Sequence, residues 1–199
     1  MDYRNVLQDV LKQEAEAILN IPIKDSFNNA IELIYEQVHI KGGKVVTSGM
    51  GKAGYVAKNL AVTFSSNGTP SVFLHPSEAQ HGDLGLLSPN DVLILFSNSG
   101  KTREIEELIV LTKNLYDTIP MILVTGNENG EISDDVNVII STGHPDEVCP
   151  LGLTPTTSKT VMSVIGDALD VAVSTKINFT KLDYSKRHHG GYLGQKSKE

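Results

Sequence analysis

The sequence predicts an α/β fold: a single doubly wound, five-stranded parallel sheet flanked by helices, with an N-terminal helical segment. Three observations carry that prediction. Five short β-rich runs recur after residue 43, each apolar enough to be buried on both faces, as strands of a parallel sheet are. Stretches long enough for crossover helices separate the first four runs, notably 52–66 and 101–116. A helical pattern precedes the series, and another closes it at about 156–177. Strands alternating with helices in this way wind one sheet with right-handed crossovers.

Taken in order, residues 3–39 are expected to be helical. Val6, Val10, Leu11, Ala15, Ile18 and Leu19 recur at helical spacing, Pro22 interrupts, and Phe27, Ala30, Ile31, Ile34, Tyr35 and Val38 resume the stripe. That stripe fits either core packing or a dimer-forming helix pair. "KGG" at 41–43 ends it. The strands are "KVVTS" (44–48), "PSVFL" (70–74), "DVLILFS" (91–97), "PMILVT" (120–125) and "VNVII" (136–140). After Asn178 the tail is polar and glycine-rich, and a frayed end is the default for such a terminus.

At 199 residues and 40% hydrophobic content the chain makes one domain with a sizeable core. Within residues 1–199 we distinguish N-terminal helices (1–40), an α/β core (41–178) and a C-terminal tail (179–199). A net charge of −7 argues against nucleic acid as a partner. The single cysteine, Cys149, excludes an internal disulfide framework and suits a reducing cytosol. The first residues carry charges throughout, unlike a signal peptide, and no stretch approaches the roughly 20 apolar residues of a membrane span. A cytoplasmic location without a membrane partner is expected.

The run "VVTSGMGKAG" places Gly49, Gly51 and Gly54 at the G-x-G-x-x-G spacing of a dinucleotide fingerprint. Such a site wants an acid at the end of the second strand to hold the ribose, yet no acid occurs between Glu36 and Glu78. The glycines remain a good cradle for a different anion at a helix N-terminus. "SNSGKTREIEEL" carries "GKT", but Leu95 stands where a Walker A loop needs glycine, which excludes a nucleotide P-loop. Ser97, Ser99 and Thr102 around Gly100 instead offer three hydroxyls beside free helix amides, a monophosphate site in character. His75, Glu78, His81 and Asp83 match no closed zinc pattern, so no metal is expected, and they fit the wall of a substrate cleft. "HPDEVCP" (144–150) and "KRHHGG" (186–191) supply further titratable groups.

Together "SGMGKAG", "HPSEAQHGDLG", "SNSG", "EVCPLGLTPTTSKT" and "HHGGYLG" resemble the sugar isomerase (SIS) family, and within it the arabinose 5-phosphate isomerases. The resemblance runs in order from about residue 40 to residue 194. It implies the SIS fold and an aldose–ketose isomerase interconverting D-ribulose 5-phosphate and D-arabinose 5-phosphate, feeding synthesis of 3-deoxy-D-manno-octulosonate (Kdo) for lipopolysaccharide or capsule. By motif position it implies Lys52, Glu104, Glu147 and His188 as catalytic residues. It places Ser48, Ser97, Ser99 and Thr102 at the phosphate, with Gly49 and Gly51 giving the sugar phosphate room and His75 and His81 near the sugar. The family commonly has His-Pro where His188-His189 stands, and the distance to Gly191 and Gly194 favours His188. No cofactor is implied. A homotetramer with active sites at subunit interfaces is, the tail carrying His188 into a neighbour's cleft. Better-known members continue into paired nucleotide-sensing CBS modules, so regulation through those modules is expected to be absent from a chain that stops at residue 199. The alternatives are another SIS phosphosugar isomerase, of the 6-phospho-3-hexuloisomerase type, or a non-catalytic sensor of a sugar phosphate or Kdo compound.

Overall fold

The structure, a computed structural model, describes residues 2–197. Its sheet has five strands, all parallel, in the order β2-β1-β3-β4-β5. These are β1 (Val45–Gly49), β2 (Ser71–Phe73), β3 (Val92–Phe96), β4 (Met121–Thr125) and β5 (Val138–Ser141). The three central strands are buried along their whole length, as their unbroken apolar runs require. Their side chains alternate between two cores. Val45, Ile94, Phe96, Ile122 and Val124 face one side, and Val46, Leu93, Leu95, Met121 and Leu123 the other.

The first core is closed by α2 (Asp25–Ile34), α3 (Gly51–Ser66) and α6 (Thr157–Lys176) through Phe27, Ile34, Leu60, Phe64, Ile165 and Leu169. The second is closed by α5 (Arg103–Leu115), with α4 (Pro76–Ala79) beside it, through Ile105, Leu108, Ile109 and Ala79. Burying some thirty apolar side chains at about 1.5–3 kcal/mol each is what offsets the entropy of ordering the chain.

The glycines of the first loop explain themselves sterically. A Cβ on Gly54 would sit 2.5 Å from the Gly49 carbonyl oxygen, so the end of β1 and the first turns of α3 approach as only two bare backbones can. Gly51, at φ 55°, makes the left-handed turn that starts the helix.

Two expectations are corrected. The N-terminal stripe divides: Phe27, Ala30, Ile34 and Val38 enter the core, whereas α1 (Arg4–Leu19) lies on α6 and leaves Val6, Leu7 and Leu11 more than half exposed. The polar tail is not a frayed end. Thr180 and Asp183 form a reciprocal capping box that starts α7 (Lys181–Ser185), and α8 (Gly191–Lys196) follows. The Tyr184 and His188 rings stack at 3.8 Å, and bare Gly68 leaves room for the ring of Phe179. A composition that reads as disordered is ordered here by local caps and ring contacts.

Candidate active site

In an open parallel sheet the loops at the carboxyl ends of the strands converge where the strand order reverses, which here lies between β1 and β3. A cleft of about 680 Å³ opens there. The start of α3 contributes Met50 and Lys52, the β3–α5 loop Ser97, Asn98, Ser99 and Thr102, and the loops after β4 and β5 Asn127 and His144. The N-terminal end of α6 closes it with Ser158, Lys159 and Met162.

The β3–α5 loop is rigid. Ser97 Oγ and Thr102 Oγ1 lie 2.7 Å apart, the Lys101 N–H donates to Ser99 Oγ, and left-handed Gly100 (φ 64°) makes the turn. Asn127 Nδ2 donates to the Ser99 carbonyl at 3.0 Å and the Gly126 N–H to the Asn98 carbonyl at 3.1 Å, fastening this loop to the one after β4. Thr102 stands at the N-cap of α5 without using its hydroxyl to cap it. The hydroxyl thus stays with Ser97, beside helix amides that carry a partial positive charge.

Glu147 reaches the same region from the β5–α6 loop. Its Oε2 accepts the Thr156 N–H at 2.6 Å, the Thr156 hydroxyl at 3.1 Å and the Ser158 N–H at 3.3 Å. Burial alone would raise its pKa, but the bonds from Ser158 and Thr156 outweigh burial and hold the carboxyl below the usual carboxylate range. Glu147 is therefore an ionised carboxylate one residue contact behind the cleft wall, through Ser158.

Lys52, Ser97, Ser99 and Thr102 come together in the cleft. The remaining expected residues lie elsewhere. Ser48 is buried and its hydroxyl donates to the Leu74 carbonyl at 2.7 Å, fastening the end of β1 to the chain leaving β2. Gly49 and Gly51 act through backbone shape. Glu104 is half-buried in the first turn of α5, outside the cleft lining. His75 caps α4 with Nδ1 buried and unpartnered, while His81 is exposed in the turn beyond. His188 lines a separate pocket of about 660 Å³ with Lys58, Ser65, Phe73 and Arg187, which shares no residue with the Lys52 cleft. Among the described residues, no three His, Cys, Asp or Glu side chains gather as a metal site would require, and no helix is long and apolar enough to cross a membrane.

Sequence reasoning misses Asn98, Asn127, His144, Ser158 and Lys159. Asn98 and Ser158 stand inside the quoted motifs, so position within "SNSG" and "TPTTS" is an available signal. His144 has none beyond its closeness to Glu147, because its ring reaches the cleft through a backbone turn.

The profile of the SIS domain matches residues 40–172. The chain belongs to the sugar isomerase (SIS) family. The SIS protein KdsD of Shigella flexneri, an arabinose 5-phosphate isomerase, is 42% identical over 98% of this chain, and the chain spans 58% of that protein's length. A crystal structure from Bacteroides fragilis NCTC 9343, described as a phosphosugar isomerase involved in capsule formation, is 58% identical with a TM-score of 0.94, over 96% of this chain and all of that one. The Escherichia coli CFT073 protein c3406, solved in complex with arabinose 5-phosphate, is 35% identical with a TM-score of 0.85, over 92% of this chain and 96% of that one. These SIS structures and the present one share the parallel five-stranded architecture.

Proposed function

We propose that the chain is an arabinose 5-phosphate isomerase, interconverting D-ribulose 5-phosphate and D-arabinose 5-phosphate through an enediolate. The observation that carries this reading is the pairing of two features at one cleft: a hydroxyl cradle at the start of α5 and a cationic side chain, Lys52, at the start of α3. Likeness to a chain solved with arabinose 5-phosphate supports it.

The phosphate sits against Ser97, Ser99, Thr102 and the α5 amides, a fixed anchor that costs the reaction no reorganisation. The anchored open-chain sugar then extends toward Lys52 and the α6 end. Lys52 polarises the oxygens at C1 and C2, whose growing charge is the main barrier to enolisation. Glu147, kept ionised by its helix amides, takes and returns the proton between C1 and C2, a role worth about 10²–10⁴-fold for a positioned base. Its Oε2 is held by Thr156 and Ser158, which leaves Oε1 for the substrate. Glu104 orients Lys52 or the sugar hydroxyls. The proton moves within one molecule, so the chemistry asks for no cofactor.

His188 assists ring opening or shuttles the proton between oxygens. Within one chain it lies in a different pocket from Lys52, so this role requires a neighbouring subunit to deliver it. A homotetramer with sites at its subunit interfaces meets that need, and the exposed apolar residues of α1 offer a surface for it. We place the enzyme in the cytoplasm, supplying arabinose 5-phosphate for Kdo, with capsule favoured over lipopolysaccharide by the Bacteroides relative.

The deciding experiment is proton exchange at C2 of arabinose 5-phosphate in D₂O with purified protein. Exchange accompanied by ribulose 5-phosphate is expected. Neither exchange nor product ends the isomerase reading.

A further inference from the structure

His144 is held in the cleft by an unusual piece of backbone. Gly143 and His144, directly beyond β5, both adopt left-handed conformations, at φ 77° and 54°. For histidine that conformation is sparsely populated, and it persists only where surrounding contacts enforce it. Here the contact is with the neighbouring strand end. His144 Nδ1 lies 3.0 Å from the Gly126 carbonyl oxygen. A carbonyl oxygen only accepts, so Nδ1 carries the hydrogen. The neutral ring therefore presents Nε2 as a lone pair. Among the described residues Nε2 has no hydrogen-bond partner.

Gly126 is bare at this point for a reason. A Cβ there would stand 3.2 Å from His144 Nδ1 and 2.7 Å from Asn98 Oδ1, so all three residues crowd into one corner of the cleft. Asn98 Oδ1 is buried and has no partner of its own. An unpartnered buried acceptor is costly, and its persistence in a ligand cleft points to a donor supplied by the ligand.

The rest of the wall is rich in donors: Lys52, Lys159, the Ser99 and Thr102 hydroxyls and the amides of α5. Donors suit a phosphate and a developing enediolate. The hydroxyls along a polyol chain need acceptors, and His144 Nε2 with Asn98 Oδ1 provides them. We propose that His144 is a specificity-determining residue whose Nε2, beside Asn98 Oδ1, accepts hydrogen bonds from the hydroxyls of the bound sugar phosphate. The assignment rests on the phosphosugar isomerase reading and deepens it. It gives the cleft two ends, one reading phosphate and one reading the hydroxyls that distinguish one pentose or hexose phosphate from another.

The test uses the full chain with His144→Asn, because asparagine tolerates the left-handed backbone while ending short of the Nε2 position. KM for arabinose 5-phosphate should rise about three- to tenfold, the effect of one lost neutral hydrogen bond, with kcat lowered by less than about twofold. Competitive inhibition by inorganic phosphate, which has no polyol chain, should not move. In ¹⁵N NMR of the wild type, the His144 Nε2 signal should shift on saturation with arabinose 5-phosphate and stay in place with inorganic phosphate. An unchanged KM, or an equal loss of sugar-phosphate and inorganic-phosphate affinity, overturns the role of His144. Absence of turnover in the wild type instead overturns the isomerase reading, and this assignment falls with it.

Discussion

Glu147 and Thr156 form a cap across the loop: the Glu147 carboxylate accepts the Thr156 N–H at 2.6 Å and its hydroxyl at 3.1 Å, closing the open end of α6 from outside the helix. Helix amides at an N-terminus have no partner in their own helix, and an anion there gains from the helix dipole as well. One side chain thus orders the loop at the cleft wall and keeps itself ionised for proton transfer. Glu147→Gln retains an acceptor for Thr156 and removes the charge. We expect kcat to fall about 10²- to 10⁴-fold with the fold intact, read by steady-state turnover beside circular dichroism. Unchanged turnover would remove Glu147 from the role of base.

The same pair predicts a pH signature in stability. The folded Glu147 carboxyl titrates below its ordinary value of 4.5, so its contribution is complete above that pH. It is lost as pH falls through the lower folded value. Thermal midpoints measured from about pH 3 to 6 should therefore drop less steeply for Glu147→Gln than for the wild type. Parallel curves would show that the cap carries no charge-dependent stability.

Ser97 and Thr102 test the phosphate anchor. Their hydroxyls face each other at 2.7 Å, and both line the cleft. Thr102→Val keeps the branched shape and removes the donor. KM for the sugar phosphate and the inhibition constant of inorganic phosphate should worsen together, by about tenfold for a bond to a charged group. A change in the sugar phosphate alone would move the anchor elsewhere.

What the sequence reveals follows from how local each cause is. The strands of the central sheet are readable because burial on two faces demands unbroken apolar runs, as in Val92–Phe96. The cradle is readable because Ser97, Ser99 and Thr102 are neighbours in sequence as well as in space. The hydroxyl of Ser48 is not, since its choice of the Leu74 carbonyl is made by the pairing of β1 with β2. His144 escapes for a similar reason, because its ring position depends on left-handed φ and on a carbonyl from another strand end. His188 carries a motif, but the motif says nothing of which pocket it enters, and within one chain it is not the pocket of Lys52.

Cys149 should behave as an activated thiol. Its Sγ accepts the Thr154 N–H at 3.1 Å and the Leu153 N–H at 3.3 Å. The Thr154 bond is the largest influence, and together these bonds pull the thiol down from 9.0 to about 7. The rate of alkylation by iodoacetamide should rise with pH to a half-maximum near 7. A half-maximum near the ordinary thiol range, about 8.5, would show that the loop does not hold these amides on the sulfur in solution.

Asp170 makes the opposite case. It sits in α6 at 1% exposure, with Oδ2 accepting from Asn67 Nδ2 and Oδ1 buried without a partner. Burial raises its pKa above the ordinary 3.8, against the lowering effect of Asn67. For an acid raised in the folded state, stability is greatest below the unfolded value and declines as pH climbs through the folded one. Asp170→Asn keeps a carbonyl oxygen for Asn67 and removes the buried charge. Its thermal midpoint near neutral pH should exceed that of the wild type by about 2–4 °C, the shift that roughly 1 kcal/mol produces in a domain of this size. The gain should vanish toward pH 3, where Asp170 is already protonated in both states. A lower midpoint at neutral pH would mean that the charge on Asp170 is satisfied in solution, and that burial there costs less than the lost carboxylate contacts.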